Sequence, residues 1–270
     1  MKPPPFELLL ATSVTEAVGV LAADDGAKVL AGGQSLVPLL ALRLARPTVL
    51  VDVNGLGLDG IDVVGDEVVL GALVRHRRLE RDATVRAAAP LLAQAAALVG
   101  HPAIRHRGTL GGSLAHADPV AELPAALLAL GGSVVVEGPD GRRTVRADHL
   151  FEGFLTTSIS PDELLVEVRV PAATPSTRTA FCEWAPRSGD FAVAGIALVV
   201  DDSSVRAAAC GIGTRPIDVT EAFEPVLGSP LSDALVDEVV VRVRALCAGD
   251  EDKAQLAGIL AARALREVAA

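Results

Sequence analysis

Apolar positions near the start of the chain change their period from element to element. Phe6–Leu10 is a short apolar run that predicts a strand. Ser13-Val-Thr-Glu16 has capping-box spacing, and Ala17, Val18, Val20 and Leu21 continue it as one helical face. Lys28–Ala31 reads as a second short strand ending at Gly32-Gly33-Gln34-Ser35. Leu36–Leu44 predicts a helix and Thr48–Val53 a buried strand. Together they form a β-α-β unit with a glycine turn after its first internal strand.

From Leu56 onward, glycines punctuate the pattern. Ile61–Val64 and Val68–Leu70 flank Gly65-Asp66 as a hairpin. Ala83–Val99 predicts one Ala/Leu-rich helix that Gly100 ends. His101 to Pro119 is the densest polar stretch. Within it, Asp118-Pro119 has the form of an N-cap followed by proline at the first helical position, opening a helix to Leu130. Ser133–Glu137 and Arg142–Val145 bracket a second hairpin, and Leu164–Val170 is a strand stopped by Pro171. Residues 171–178 are the best linker. Beyond them lie two strands, Ala192–Val200 and Val205–Ile212, then helices near Val219–Leu227, Leu231–Leu246 and Asp250–Val268. Strands followed by helices make an α+β pattern.

Composition narrows the function. The 270 residues carry 24 Lys and Arg against 34 Asp and Glu, a formal net charge of −10, with no basic block. That balance argues against nucleic-acid binding and against docking on anionic membranes. The longest apolar stretch, Leu123 to Val136, is interrupted by Pro124 and Gly131-Gly132 and is too short to span a bilayer. The N-terminus lacks the long apolar region of a signal peptide, which predicts a cytoplasmic protein. Cys182, Cys210 and Cys247 are far apart and form no CxxC pair, so no iron–sulfur, zinc or disulfide framework is expected within this chain. His101, His106 and His116 are spaced too loosely for a metal-ligand set.

Chemistry concentrates in two similar turns, Ala31-Gly-Gly-Gln-Ser35 and Thr109-Leu-Gly-Gly-Ser113. Paired glycines permit positive φ and close backbone approach to a ligand. Successive N–H groups then point into one concavity that holds phosphate oxygens. The helix after the first turn adds a favourable dipole. Taken singly, each has a plain reading as a turn and helix cap. Taken together, with His101–Arg107 beside the second, they favour a pyrophosphate-bearing ligand. Neither is a P-loop or a G-x-G-x-x-G fingerprint. Asp118 suits ligand hydroxyls rather than phosphate. Arg105 and Arg107 are open between a phosphate partner, a subunit contact and solvated surface, and Arg75-His-Arg-Arg78 reads as a surface feature at a helix start.

Ala31-Gly-Gly-Gln-Ser-Leu-Val-Pro38 and the run from His101 to Pro119 resemble the FAD-binding medium subunits of molybdenum hydroxylases, the family of aerobic carbon monoxide dehydrogenase and xanthine dehydrogenase-type enzymes. The resemblance covers nearly the whole chain and includes Ser160-Pro-Asp-Glu-Leu164, Arg187-Ser-Gly-Asp-Phe-Ala192 and Leu256-Ala-Gly-Ile-Leu260. It implies an α+β protein. A two-subdomain FAD-binding domain of p-cresol methylhydroxylase type would occupy 1–175, split into about 1–55 and 56–175, and a smaller α+β C-terminal domain 176–270. It implies that Ala31, Gly32, Gly33, Gln34, Ser35 and Leu36, with Thr109, Gly111, Gly112 and Ser113, hold the FAD pyrophosphate. Asp118 is then expected at the adenosine or ribityl part, Leu164 or Leu165 at the adenine side and Phe191 close to the isoalloxazine. Ile104 joins these implied cofactor contacts. Where many relatives carry a Tyr-Arg pair before Leu256-Ala-Gly, this chain reads Asp252-Lys-Ala-Gln255.

The implied role is electron transfer. A molybdenum-cofactor large subunit oxidises substrate, a small subunit with [2Fe–2S] clusters relays electrons, and the flavin subunit passes them to an acceptor, typically in a dimer of heterotrimers. No catalytic or metal-ligating residue of its own is expected, because the cofactor carries the chemistry. Gln34 cannot attach FAD covalently, Tyr is absent and no cysteine lies near either turn, so FAD is expected to be non-covalent. Two other readings stand beside this one: a stand-alone FAD-dependent oxidoreductase of the same superfamily, and a scaffold subunit that has lost FAD.

Overall fold

A computed structural model describes residues 2–270. At the start of the chain the predicted capping box forms. Ser13 Oγ accepts the Glu16 N–H at 3.1 Å, and the Glu16 carboxylate reaches back to the Thr12 N–H and hydroxyl at 2.7 Å each. The β-α-β unit comprises β1 (Glu7–Leu10), α1 (Val14–Ala23), β2 (Lys28–Leu30), α2 (Leu36–Ala41) and β3 (Val49–Asp52). Its three strands are parallel, in the order β1-β3-β2. Helix α2 stops short of the predicted Leu44. The Leu39 carbonyl is captured by the N–H groups of Leu44 and Ala45, and Arg43 turns to φ +60°.

The hairpin β4 (Ile61–Val64) and β5 (Glu67–Gly71) turns at Gly65, whose φ is +64°. Six helices follow: α3 (His76–Arg81), α4 (Ala83–Ala88), α5 (Pro90–Leu98), α6 (Pro102–Arg107), α7 (Leu110–His116) and α8 (Glu122–Leu130). The single helix expected over Ala83–Val99 is therefore two. Pro90 has no N–H to donate and drives Ala89 out of the helical region, to φ −141° and ψ 56°. Helix α8 also begins later than the Asp118-Pro119 pattern predicts. Asp118 Oδ1 accepts the Val120 N–H at 3.1 Å and closes a separate turn, and Ala121 takes the N-cap position.

Strands β6 (Ser133–Gly138) and β7 (Gly141–Arg146) form the second predicted hairpin. A short helix α9 (Ala147–Leu150), a small hairpin of β8 (Phe151–Gly153) and β9 (Thr156–Thr157), and β10 (Leu164–Pro171) complete this part. The larger sheet is antiparallel, in the order β4-β5-β10-β6-β7. Central β10 serves two cores. Leu164 and Val166 pack with Val51, Val53 and Leu73 against the β-α-β unit, whereas Leu165, Val168 and Val170 face Leu91, Leu123 and Leu127.

Segment 171–178 runs from β10 into β11 (Arg178–Trp184), a strand the apolar pattern did not reveal. The segment is tied down. Asp201 accepts from the Ser176 hydroxyl, the Asp202 N–H and the hydroxyls of Thr177 and Thr174, which hold its carboxyl down at about 2. With β12 (Ala194–Asp201), β13 (Ser204–Cys210) and β14 (Ile217–Asp218), β11 forms an antiparallel sheet followed by α10 (Thr220–Phe223), α11 (Asp233–Leu246) and α12 (Glu251–Ala269). One face, with Ile196 and Leu198, packs on the terminal helices. The other, with Phe181, Ala197, Ala208 and Cys210, joins the core of α5 and α8. Lys253, in the segment Asp252-Lys-Ala-Gln255 that departs from the family pattern, donates from Nζ to the Gly211 carbonyl at 2.6 Å. Among the described residues, no helix is long and apolar enough to cross a membrane.

Glu122 opens α8 within this second interface and is 6% exposed. Burial pushes its carboxyl up to about 8, and the charged neighbours that act on it, Glu183 and Asp118, are both acidic. A folded pKa above the ordinary 4.5 means that the folded chain keeps a proton the unfolded chain releases. Stability is therefore full below about 4.5 and is lost as pH rises through about 8. The Glu122→Gln substitution is expected to raise the melting temperature at pH 8 and leave it nearly unchanged at pH 4.5. No gain at pH 8 would show that the buried carboxylate ionises at little cost.

Candidate functional site

The first glycine turn leaves β2 at the carboxyl end of the parallel strands, where open α/β units present ligand sites. Gly33 takes φ +72°, a conformation that disfavours any side chain. Gly32 is required for a different reason: a Cβ there would lie 2.4 Å from the Arg107 carbonyl oxygen and 2.8 Å from Gly108 Cα. The two polar segments thus touch backbone to backbone. Among the described residues, the N–H groups of Gly32, Gly33, Gln34 and Ser35 find no acceptor, and Ser35 makes no capping bond with its hydroxyl. A cleft of about 470 Å³ opens here, lined by Leu30 to Gln34, Val37, Pro38, Asp52, Asn54 and Arg107.

The second glycine pair is not a loop. Thr109 is the N-cap of α7, its Oγ1 accepting the Gly112 N–H at 3.2 Å, and Gly111 and Gly112 lie in the first helical turn. The N–H groups of Leu110 and Gly111 bond to the carbonyls of Val74 and Ala72 at 2.9 and 2.8 Å, and that of Ser113 bonds to Thr109. Positive φ is therefore confined to Gly33, and the second pair serves close approach. A Cβ on Gly111 would sit 2.7 Å from Ala72 Cβ. One on Gly112 would meet Thr109 Oγ1 at 2.7 Å and face Ala31 Cβ at 3.9 Å. Gly112 and Ala31 bring the two motifs together.

Three residues that sequence reasoning left aside hold the segments in place. Asn54 Nδ2 donates to the Ala31 carbonyl at 2.9 Å, and Asn54 Oδ1 accepts from Arg75 Nη2 at 2.7 Å. Arg75 Nη1 donates to the Arg107 carbonyl. His76 donates its backbone N–H to Gly108 and bonds through Nε2 to the Thr109 carbonyl at 2.9 Å. Its ring is buried, and Gly108 packs against it so closely that a Cβ would lie 2.8 Å away. The reading of Arg75-His-Arg-Arg78 as surface is corrected for these first two residues. The available signal was position: Asn54 directly follows a strand of a β-α-β unit, at the end where such units bind.

The remaining site residues are dispersed. Ser113 lies half-buried in α7, and Leu36, half-buried, opens α2. Ile104 packs under Gly100, and Asp118 is engaged in its own turn. Leu164 and Leu165 are buried in different cores and do not themselves line the cleft. Phe191 is 74% exposed on the β11–β12 loop, whose Gly189 lies against the His101 ring. Arg105 is engaged internally, pairing with Glu80 at 3.0 Å and donating to the carbonyls of Val99 and Gly100. Arg107 lines the cleft. Phe181 is in the core, whereas Trp184 is half-exposed.

A parallel β-α-β unit and an antiparallel sheet, meeting at paired glycine segments over a cleft with free amides, define a nucleotide-cofactor protein of two subdomains. The family described as FAD binding domain in molybdopterin dehydrogenase matches residues 4–173, and the chain belongs to that family. It is 43% identical to 6-hydroxypseudooxynicotine dehydrogenase complex subunit alpha of Paenarthrobacter nicotinovorans, over 86% of this chain and 81% of that protein. It is 36% identical to caffeine dehydrogenase subunit beta of Pseudomonas sp. (strain CBB1), over 100% of this chain and 96% of that protein. The solved carbon monoxide dehydrogenase of Hydrogenophaga pseudoflava, in the form lacking the Mo-pyranopterin moiety, superposes with a TM-score of 0.95 at 38% identity, covering 99% of this chain and 98% of that chain. The resemblance to FAD-binding medium subunits of molybdenum hydroxylases and the fold class it implied are borne out. The chain is a subunit of the FAD-containing oxidoreductase type.

Burial without a second partner holds the His76 imidazole down at about 4, so it is neutral at pH 7. The unfolded chain takes up a proton below about 6.5 that the folded chain refuses until about 4. Stability is therefore full above 6.5 and falls by about 3 kcal/mol as pH drops through that window. Urea unfolding of His76→Gln, which keeps an amide donor for Thr109, is expected to show a flatter slope between pH 6.5 and 4. An unchanged slope would place the titration on another group.

Proposed function

We propose that this chain binds FAD non-covalently in the cleft between its glycine segments and transfers electrons from the [2Fe–2S] clusters of a small partner subunit to an external acceptor. The run of unpartnered amides from Gly32 to Ser35, on a segment that packs against Arg107 and lies opposite Gly112 at Ala31, carries this assignment. Amides and a guanidinium suit a pyrophosphate, which needs donors and positive charge at short range. Gln34, Ser35, Leu36, Thr109 and Ser113 flank that position, and the capping bond of Gly112 to Thr109 is the one its amide would exchange. Asp118 is assigned to the adenosine or ribityl hydroxyls, with Leu164 or Leu165 toward the adenine and Ile104 behind the second segment. Phe191, exposed on the loop whose Gly189 lies against the His101 ring, is assigned to the isoalloxazine. When bound, FAD supplies one- and two-electron chemistry that these side chains lack.

A domain boundary near 175, with the FAD-binding domain before it, follows the separate sheets on either side of segment 171–178. The partners assigned are a molybdenum-cofactor large subunit and the iron–sulfur small subunit, in a cytoplasmic dimer of heterotrimers. Relatives of similar identity are named for a hydroxypseudooxynicotine and for caffeine, which supports placing substrate choice in another subunit.

Visible absorption of the purified chain, followed by denaturation and chromatography of the released pigment, tests the cofactor. FAD is expected, and FMN or no pigment after incubation with FAD would overturn it. Gly112→Val should lower FAD affinity about tenfold or more while the chain still folds, because the branched side chain enters the narrow space opposite Ala31 and displaces only a hydroxyl. Undiminished flavin content would remove the second segment from the site. A complex purified through a tag on this chain should carry iron and molybdenum; a chain isolated without either metal would overturn the partner assignment.

A further inference from the structure

A line of side-chain hydrogen bonds joins the two glycine segments without forming part of either. Asn54 stands just beyond β3. Its Nδ2 donates to Ala31 O at 2.9 Å and reaches Leu30 O at 3.4 Å, and Asp52 Oδ1, at 2.6 Å, fixes which way the amide faces. Asn54 Oδ1 accepts from Arg75 Nη2 at 2.7 Å, and the other end of the same guanidinium holds the Arg107 carbonyl, the group against which Gly32 is packed. Each carbonyl belongs to a residue adjoining a glycine of the cradle. The guanidinium is part-buried and lies near the like charge of Arg107. No carboxylate lies within ion-pair distance of Arg75 among the described residues. A planar fork that bridges an amide oxygen and a peptide carbonyl fixes a distance and an angle, which a flexible ammonium cannot do.

We propose that Asn54 and Arg75 are positioning residues that act as one bracket, setting the separation of the two halves of the dinucleotide cradle before the cofactor arrives. This rests on the FAD assignment made above. A preset cradle binds without spending affinity on ordering its own backbone, so loss of the bracket weakens FAD binding although neither residue supplies a cradle amide. Because the two residues are links of one chain, breaking either link releases the same restraint.

Deflavinated wild type, Asn54→Ala, Arg75→Lys and the double variant are titrated with FAD, and the apo melting temperatures are measured alongside. Each single change should lower affinity about tenfold, the scale of a lost hydrogen bond to a charged group. The double variant should lose no more than about twofold beyond the weaker single, a non-additive result that marks a shared restraint. Arg75→Lys keeps the charge but cannot bridge both acceptors, so it should not rescue. Independent losses that multiply would overturn the bracket, as would a lysine variant within twofold of wild type, which would make Arg75 a simple countercharge. Affinity losses that only track a general drop in apo melting temperature would also overturn it. Wild type that binds FAD beside variants that bind equally well would remove the bracket alone. Wild type that fails to bind FAD would remove the cofactor assignment and the bracket's role with it.

Discussion

The backbone of Gly32 lies against Arg107 and Gly108 with no room for a methyl group between them. Much of the molecule is arranged around that contact. The parallel unit delivers Gly32 from the end of β2, and the segment after β5 delivers the other side. Residues 72 to 76 bond successively to Gly111, Leu110, Thr109 and Gly108, so they run as a ruler beneath the second motif. The apolar cluster of Val51, Val53, Leu73, Val135, Leu164 and Val166 lies where the two sheets meet and keeps them in register. Each of these side chains is nearly or fully buried, so any slip between sheets would open a cavity at a cost of a few kcal/mol. Burial below and steric exclusion above therefore leave little freedom in how the two motifs face one another.

The C-terminal sheet meets a related demand. It is buried on both faces, and small residues make this possible: Ala197, Ala208 and Gly195 let α5 and α8 pack on one side while α12, itself backed by α11, packs on the other. Anchoring at Asp201 and at Gly211, whose N–H reaches the Pro119 carbonyl at 2.8 Å, fixes the sheet to the cofactor half. The loop carrying Phe191 meets the His101 ring at Gly189.

Local chemistry made much of the fold legible. Ser13 with Glu16, the hairpin glycines at 65 and 141, and Asp250 as the N-cap of α12 all work through contacts within a few residues. The glycine motifs could be read because close approach leaves a compositional trace. Other features lacked such a trace. The polar turn at Asp118 competes with a helix start, and which one forms depends on how α8 packs. Strand β11 mixes Arg178, Glu183 and Trp184 with apolar residues because only its middle is buried. Arg75 and His76 look like surface in a basic run, and only contacts with residues more than twenty positions away turn them inward.

Charge gives these contacts their direction. A chain with a net charge of −10 has no general attraction for a phosphorylated ligand, so binding must come from short-range, oriented donors. Backbone amides meet that need without adding mobile side chains, and a nest of them exerts its field only at contact distance. Arg107 supplies one cation at the cleft, and the Asp52 carboxylate beside it is occupied by the N–H and the side-chain amide of Asn54. Under the proposed FAD assignment, selectivity for a dinucleotide over other anions would depend on the spacing between the two motifs, because a single phosphate can satisfy one segment but cannot span both. A site built this way trades electrostatic reach for geometric accuracy, with its rigidity located in buried apolar residues and in oriented hydrogen bonds, those of the Arg75 guanidinium among them.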